Sequence, residues 1–278
     1  MIKTVITAAG KGTRLLPAAK DVPKEMMPIF STYDKQRIAI PLLQFIFEQL
    51  YDLNIRNYCF VIGRDKRVIK DHFTSDYTYL RDLSMKYKIL IRHFYKKIER
   101  SNLVWINQSK PLGFGDAVRR TERYVGNDNC IVHAGDVSII GKAKHPVLRL
   151  IETAKRDPSV SAVLLFKKVK DARRYGVPKI TKISNAVYMV HAVEEKPLKP
   201  KFNIGLLPIY YFKPNIFTYL KKIKPGKNGE LQLTDAIQKL IDEGEKVVAI
   251  SLFSNEFEVD VGTVESYRYA QKISYQQL

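Results

Sequence analysis

The chain is poor in cysteine, and its cysteines are not spaced for metal or redox chemistry. Cys59 and Cys130 stand inside the apolar runs YCFVI and CIVH, with no CxxC pair. They read as small core residues of a reducing compartment, and although a disulfide remains open in principle, a chain of this length does not need one. The five histidines, His72, His93, His133, His145 and His191, are scattered without metal-ligand spacing. No histidine-based catalytic or metal centre is therefore expected. Long apolar runs are missing too. AVLLF at 162–166 and GLLPIYYF at 205–212 fall far short of the ~20 residues a membrane span needs. The opening IKTVITAAGKGTR is too short and interrupted for a secretory signal, so the cytoplasm is the expected compartment. Acidic residues are outnumbered, with 28 Asp+Glu against 47 Lys+Arg and a formal charge of +19. Such a charge attracts anions without naming one, and nucleic acid, acidic lipid, nucleotides and sugar phosphates all remain open. The lysine-rich runs at 95–100, 166–174 and 221–227 are dispersed. They read as solvated faces rather than one nucleic-acid footprint.

What the chain does have is an ordinary globular composition, 45% hydrophobic and 27% charged over 278 residues. That is enough to bury a sizeable core. Val- and Ile-rich runs at 2–8, 58–62, 130–133, 162–166 and 247–250 read as strands covered on both faces, the habit of parallel sheets. Helical spacing lies between them. Ala39, Leu42, Leu43, Ile46 and Leu50 form one stripe that Asn54 can end. Ile237, Leu240 and Ile241 form another, with Thr234 as a candidate cap and Gly244 as a stop. Alternating strands and helices give an α/β class. The stretch 175–213 has β-rich pieces with little helical period and reads as antiparallel strands added to the main sheet. There is no linker, low-complexity tract or repeat, so one domain over 1–278 is expected.

Several short constellations carry chemistry. Residues 8–14, AAGKGTR, follow the first strand. Gly10 and Gly12 let backbone N–H groups approach an anion, small Ala8 and Ala9 leave room for a base or ribose, and Arg14 offers a fork that matches phosphate oxygens. Leu15 replaces the third glycine of a dinucleotide fingerprint, and no GK[ST] closes a Walker loop. In KDVPKEMMP at 20–28, Pro23 and Pro28 forbid a regular helix, and Lys20 and Lys24 can face that anion. In QSKPLGFGDAV at 108–118, the Gln108 amide complements a nucleobase edge and Gly113 lets a base lie on backbone, before a helix expected near Asp116. Asp136 and Asp260 each end a β-run, where ligands bind in open α/β sheets. Together they can hold one Mg²⁺, which takes few carboxylates plus phosphate oxygens. Glu194-Glu195-Lys196-Pro197 closes another strand, with a carboxylate and an ammonium able to grip a sugar phosphate.

Taken in order, these pieces resemble the bacterial and archaeal UTP–glucose-1-phosphate uridylyltransferases within the sugar nucleotidyltransferases. The matching segments are AAGKGTRLLPAAKDVPKEMMP at 8–28, Gln108 with Gly113, Asp136-Val137, Tyr175-Gly176-Val177, Glu195-Lys196-Pro197, ELQLTDAI at 230–237 and VDVGT at 259–263. The resemblance implies a Rossmann-like, mixed but mostly parallel sheet flanked by helices. A small antiparallel extension goes with it, the sugar-binding part lying at about 160–213. It also implies transfer of a uridylyl group from UTP to glucose 1-phosphate, giving UDP-glucose and pyrophosphate. By that likeness Ala8, Ala9, Gly10, Gly12, Thr13 and Arg14 hold the nucleotide, with Arg14 and Lys24 on its phosphates. Gln108 and Gly113 meet the uracil, and Asp136 and Asp260 hold Mg²⁺, Asp136 at the nucleotide. Gly176, Glu195, Lys196 and Asn203 face the sugar phosphate, Lys196 on its phosphate group. The expected assembly is a homo-oligomer, dimer or tetramer, with no membrane or nucleic-acid partner. Four positions depart from the family pattern: Gln36 after an Asp-Lys pair in an enlarged 31–36 loop, Asp116, Pro208 and Val259. Two other readings stay open. One is the same fold acting on dTTP or another sugar 1-phosphate. The other is a non-catalytic nucleic-acid-binding or regulatory protein.

Overall fold

The structure, a computed structural model, describes residues 2–184, 186–226 and 229–277. Lys227 of the third lysine run lies outside them. Thirteen strands are described: β1 (Ile2–Ala8), β2 (Pro28–Tyr33), β3 (Gln36–Pro41), β4 (Asn57–Gly63), β5 (Asn102–Gln108), β6 (Asn129–Ala134), β7 (Val137–Gly141), β8 (Val160–Lys168), β9 (Gly176–Ser184), β10 (Val187–Glu195), β11 (Ile204–Phe212), β12 (Lys246–Ser251) and β13 (Glu256–Asp260). Nine form the main sheet in the order β5-β4-β1-β6-β11-β8-β12-β10-β9, and β13-β7 and β2-β3 form two-stranded sheets. All five apolar runs read from the sequence are strands of the main sheet.

The sheet is less parallel than expected. β5, β4, β1 and β6 run parallel, as do β8 and β12. The other four pairings, β6–β11, β11–β8, β12–β10 and β10–β9, are antiparallel. The reason is visible in β11, which is buried on both faces although it runs against both neighbours. Double-sided burial gives a continuous apolar run whatever the strand direction. Periodicity therefore reports coverage and not polarity.

Helices cover both faces and divide the core in two. One cluster packs Leu42, Ile46 and Phe47 of the helix Leu42–Asp52 against Ile6, Phe60 and Ile131. The other packs Leu233, Ile237 and Leu240 of the helix Leu233–Asp242 against Val5, Val132 and Tyr210. The first helix begins three residues later than its apolar stripe predicts. Ala39 belongs to β3, and Pro41 marks the boundary at the helix N-cap. Asn54 adopts a left-handed φ of 62° just beyond the end, as expected of a stop residue. The enlarged 31–36 loop is a β2–β3 hairpin. Tyr33 pairs with Gln36 across Asp34 and Lys35, both at positive φ. Pro208 lies in β11 where the β8 pairing slips between Leu207 and Tyr210, as a residue without an N–H requires. Val259 is fully buried on β13.

Candidate functional site

Four parallel strands end along one edge of the sheet, at Ala8, Gly63, Gln108 and Ala134. The chain leaving β1 cannot continue as regular structure. Gly12 takes a left-handed φ of 67°, and three short 3-10 turns follow, Thr13–Leu15, Ala18–Lys20 and Lys24–Met26. Pro17 and Pro23 stand immediately before the second and third turns. This path folds Lys24 back under the glycine turn, so that a Cβ on Gly10 would lie 3.6 Å from its Nζ. Below it, Glu25 and Lys66 form a buried ion pair at 2.7 Å. Burial pushes the Glu25 carboxyl up against the opposing pull of Lys66.

Asp136, between β6 and β7, forms an ion pair with Lys24. Burial opposes its ionisation, but the Lys24 ammonium prevails and holds the carboxyl below its ordinary range. Asp260 is brought beside it by the β13–β7 pairing, in which Asp260 faces Val137 and the Val261 N–H donates to the Asp136 carbonyl at 3.1 Å. Burial, then the charges of Asp136 and Glu258, raise the Asp260 carboxyl to about 6. Arg14 converges on the same point. A Cβ at Gly262 would stand 2.8 Å from Asp260 Oδ1 and 3.3 Å from Arg14 Nη2. Two acids 124 residues apart in sequence are thus neighbours under the glycine turn.

Gln108 ends β5 and is 4% exposed. Its Nε2 donates to the Gly113 carbonyl at 3.1 Å and to Asp116 Oδ2 at 2.9 Å. Gly113 needs to be glycine: φ is 101°, and a Cβ would sit 2.5 Å from the Leu231 carbonyl oxygen. The helix that follows begins at Phe114, two residues before Asp116. Asp116 is fully buried, held by Arg119 Nη2 at 2.9 Å and Arg120 Nε at 2.8 Å.

Opposite the glycine turn, β10 pairs with β12 over Val187–Met189 and then follows β9 alone, bringing Glu195 beside Gly176. Glu195 accepts from the Thr234 hydroxyl at 2.9 Å and faces Lys196 Nζ at 3.0 Å. A Cβ on Gly176 would meet the Thr234 methyl at 2.8 Å. The expected capping role of Thr234 is not what the structure has. Gln232 occupies the N-cap, and the Thr234 hydroxyl holds a carboxylate.

The two walls enclose one cleft with two lobes. A lobe of about 450 Å³ is lined by Ala9, Gly10, Gly12, Thr13, Gln108 and Gly113. A lobe of about 850 Å³ is lined by Arg14, Gly176, Glu195, Lys196 and Asp260. Lys24, Phe114, Ala134, Asp136 and Glu230 line both. Of the candidate residues, Ala8 is buried at the end of β1 and Asn203 is exposed. Neither lines the cleft.

The sequence model described as nucleotidyl transferase matches residues 3–277. The chain belongs to the nucleotidyl transferase family. Its relatives include the UTP–glucose-1-phosphate uridylyltransferase of Bacillus subtilis, 34% identical over 262 residues that cover 92% of this chain and 86% of that one. The enzyme of the same name from Mycoplasma pneumoniae is 31% identical over 271 residues, 95% of this chain and 89% of that one. Among solved structures, a UDP-glucose pyrophosphorylase complexed with UDP-glucose superposes with a TM-score of 0.86 at 28% identity, covering all of both chains. A UTP-bound UGPase from Acinetobacter baumannii superposes with a TM-score of 0.82 at 25% identity, covering 98% of this chain and 93% of that one.

In this nucleotidyl transferase two cleft carboxylates, Asp136 and Asp260, could hold a metal. Among the described residues no three His, Cys, Asp or Glu side chains gather into a protein-only metal site. Asp136 and Asp260 line the same lobe, and burial together with the Asp136 charge destabilises Asp260 as an anion. That set fits Mg²⁺, which is held through one or two carboxylates while phosphate oxygens and water complete its shell. Among the described residues, no helix is long and apolar enough to cross a membrane. Two cleft residues gain contacts that the sequence alone does not assign: Thr234 and Glu230 both lie within the matched segment 230–237 and line the cleft. Asp116, a departure from the family pattern, is buried behind Gln108 rather than in the cleft lining.

Proposed function

We propose that this chain transfers the uridylyl group of UTP to glucose 1-phosphate, giving UDP-glucose and pyrophosphate. What carries the reading is the cleft itself. A glycine turn and a carbonyl-bound glutamine lie at one end, an acid–lysine pair at the other, and Lys24 with two aspartates between. The names of the relatives support the choice of substrates. An oxygen of the sugar phosphate attacks the α-phosphorus of UTP in line. A new P–O bond forms, the bond to the β-phosphate bridge breaks, and pyrophosphate departs with that electron pair. The nucleophile is already an anion, so no strong base is needed; the site must align two polyanions and neutralise their charge.

Each residue has a part in this. The backbone of Ala9, Gly10, Gly12 and Thr13 lies along the nucleotide, and Arg14 and Lys24 meet its phosphates. Gln108 and Gly113 take the uracil. Lys196 binds the sugar phosphate, Glu195 the sugar hydroxyls, and Gly176 lets the sugar approach the sheet. Asp136 and Asp260 would hold Mg²⁺, which when bound supplies positive charge to the phosphate oxygens. Asn203 and Ala8, outside the cleft lining, carry no direct contact in this scheme. The proposal extends to a cytoplasmic homo-oligomer of one-domain chains, for which light scattering of the purified chain reads the assembly. The deciding assay measures pyrophosphate release for each common nucleoside triphosphate crossed with several sugar 1-phosphates. UTP with glucose 1-phosphate is expected to give the highest kcat/KM, and another pair doing so replaces the substrates named here.

A further inference from the structure

Gln108 reaches the cleft with both of its N–H donors engaged, one by the Asp116 carboxylate at 2.9 Å and one by the Gly113 carbonyl at 3.1 Å. Neither partner can donate in return. An amide between two acceptors has one orientation, with Nε2 turned toward them. The atom left facing the cleft is Oε1, to which no described residue donates. Asp116 cannot drift from this arrangement. Its side chain is fully buried; Arg119 holds Oδ1 at 2.9 Å, and Arg120 shares Oδ2 with Gln108 at 2.8 Å. Burying a carboxylate is costly unless it is fully paired, and this one is paired three times over. The turn carrying it is fastened as well, since the Gly115 N–H donates to the Leu231 carbonyl at 2.8 Å.

We infer that Asp116 is a positioning residue for base selection: it locks the Gln108 amide so that Oε1 meets the pyrimidine edge, and the site takes a ring nitrogen that carries hydrogen over one that carries a lone pair. The inference rests on the uridylyl transfer proposed above and names how that site chooses its nucleotide. Uracil and thymine present N3–H, which Oε1 accepts. Cytosine presents a bare N3, which sets lone pair against lone pair and leaves a nearly buried acceptor unpaired. A glutamine free to rotate by half a turn would offer N–H to cytosine and read both bases. The carboxylate removes that freedom.

The test compares UTP with CTP in pyrophosphate release at saturating glucose 1-phosphate, for the wild-type chain and for Asp116→Ala and Asp116→Leu, neither of which offers Gln108 an acceptor. The wild-type chain is expected to favour UTP. Both variants should lose that preference by about tenfold or more, the scale of one buried hydrogen-bonding group. The change should fall in the KM for the nucleotide, with the KM for glucose 1-phosphate unchanged. Variants that melt like wild type and keep the UTP-to-CTP ratio overturn the inference. So does a merely structural loss that lowers both nucleotides in proportion. Should neither variant fold, 3-methyl-UTP tests the wild-type chain directly, because a methyl group replaces the N3 hydrogen. Binding within about twofold of UTP overturns the inference, and loss of binding supports it. Failure of the parent reading looks different: no turnover of UTP with any sugar phosphate. Calorimetric binding of UTP against CTP still reads the base preference in that case.

Discussion

The two walls of the cleft are built differently. On the glycine-turn side, three central groups have a fixed partner before any ligand arrives: Lys24 has Asp136, Gln108 has Asp116 and Gly113, Glu25 has Lys66. These groups are largely buried, on or beside parallel strands. On the β9–β10 side, Lys196 is 56% exposed and its ion pair with Glu195 lies open to solvent on one side. An exposed pair of that kind is worth ~1 kcal/mol or less. The glycine-turn wall, proposed to hold the nucleotide, is thus organised in advance, whereas the β9–β10 wall, proposed to hold the sugar phosphate, is more open. The first should resist substitution poorly in turnover, the second mainly in substrate affinity.

The largest test of that difference strikes the shared aspartates. Asp136→Asn and Asp260→Asn should each lower kcat by at least ~10²-fold, the scale of losing one preorganised electrostatic group. Circular dichroism should show the fold intact. The two should part in stability. Asp260 faces the Asp136 carboxylate, so Asp260→Asn removes a repulsion and should raise the melting temperature without added divalent ion. Asp136→Asn strands Lys24 in a part-buried site and should lower it. Equal melting temperatures would mean that the two acids do not feel each other.

A smaller effect is expected from the open wall. Lys196→Ala should raise the KM for glucose 1-phosphate by ~10-fold or more while leaving the KM for UTP within about twofold, since a lost charge-assisted hydrogen bond is worth roughly 1.5–3 kcal/mol. An unchanged sugar-phosphate KM removes Lys196 from that site. Thr234→Val should do less. It takes from Glu195 one hydrogen bond at 2.9 Å, so a severalfold rise in the same KM is expected. If the KM for UTP rises instead, Thr234 serves the nucleotide wall and the division drawn here is misplaced.

The same contrast explains how far the residues spoke for themselves. The glycine turn, the bracketing prolines and the strand-end acids are local features, and each stands where its composition placed it. The lack of helical period at 175–213 predicts added antiparallel strands, and the β9–β10 hairpin joins the main sheet in that way. What stayed hidden depends on contacts between distant segments. Asp136 and Asp260 meet only through the β13–β7 pairing. Asp116 departs from the family pattern, and nothing local says that Arg119 and Arg120 pair with it in the interior. Thr234 read as a cap because a hydroxyl near a helix start usually is one, and Glu195 lies 39 residues away. The direction of β11 was invisible because burial on both faces erases it.

Acid stability gives the smallest and most local test of the packed nucleotide side. Burial lowers His72 to about 4, and its Nε2 meets Gln44 Oε1 at 2.9 Å beside the first core cluster. Burial also lowers His133 of β6 to about 4. His191 of β10 is exposed. In the unfolded chain a histidine titrates near 6.5. Between about pH 6.5 and 4 the unfolded state therefore binds more protons than the folded one. Stability is fully present above this window and is lost as pH falls through it, by at most about 1.4 kcal/mol per pH unit for each buried histidine. Urea unfolding from pH 7 to 4.5 should show this decline. His72→Gln should make it shallower by up to one proton. A slope that His72→Gln leaves unchanged would mean that the buried imidazole takes up acid as it does in the unfolded chain.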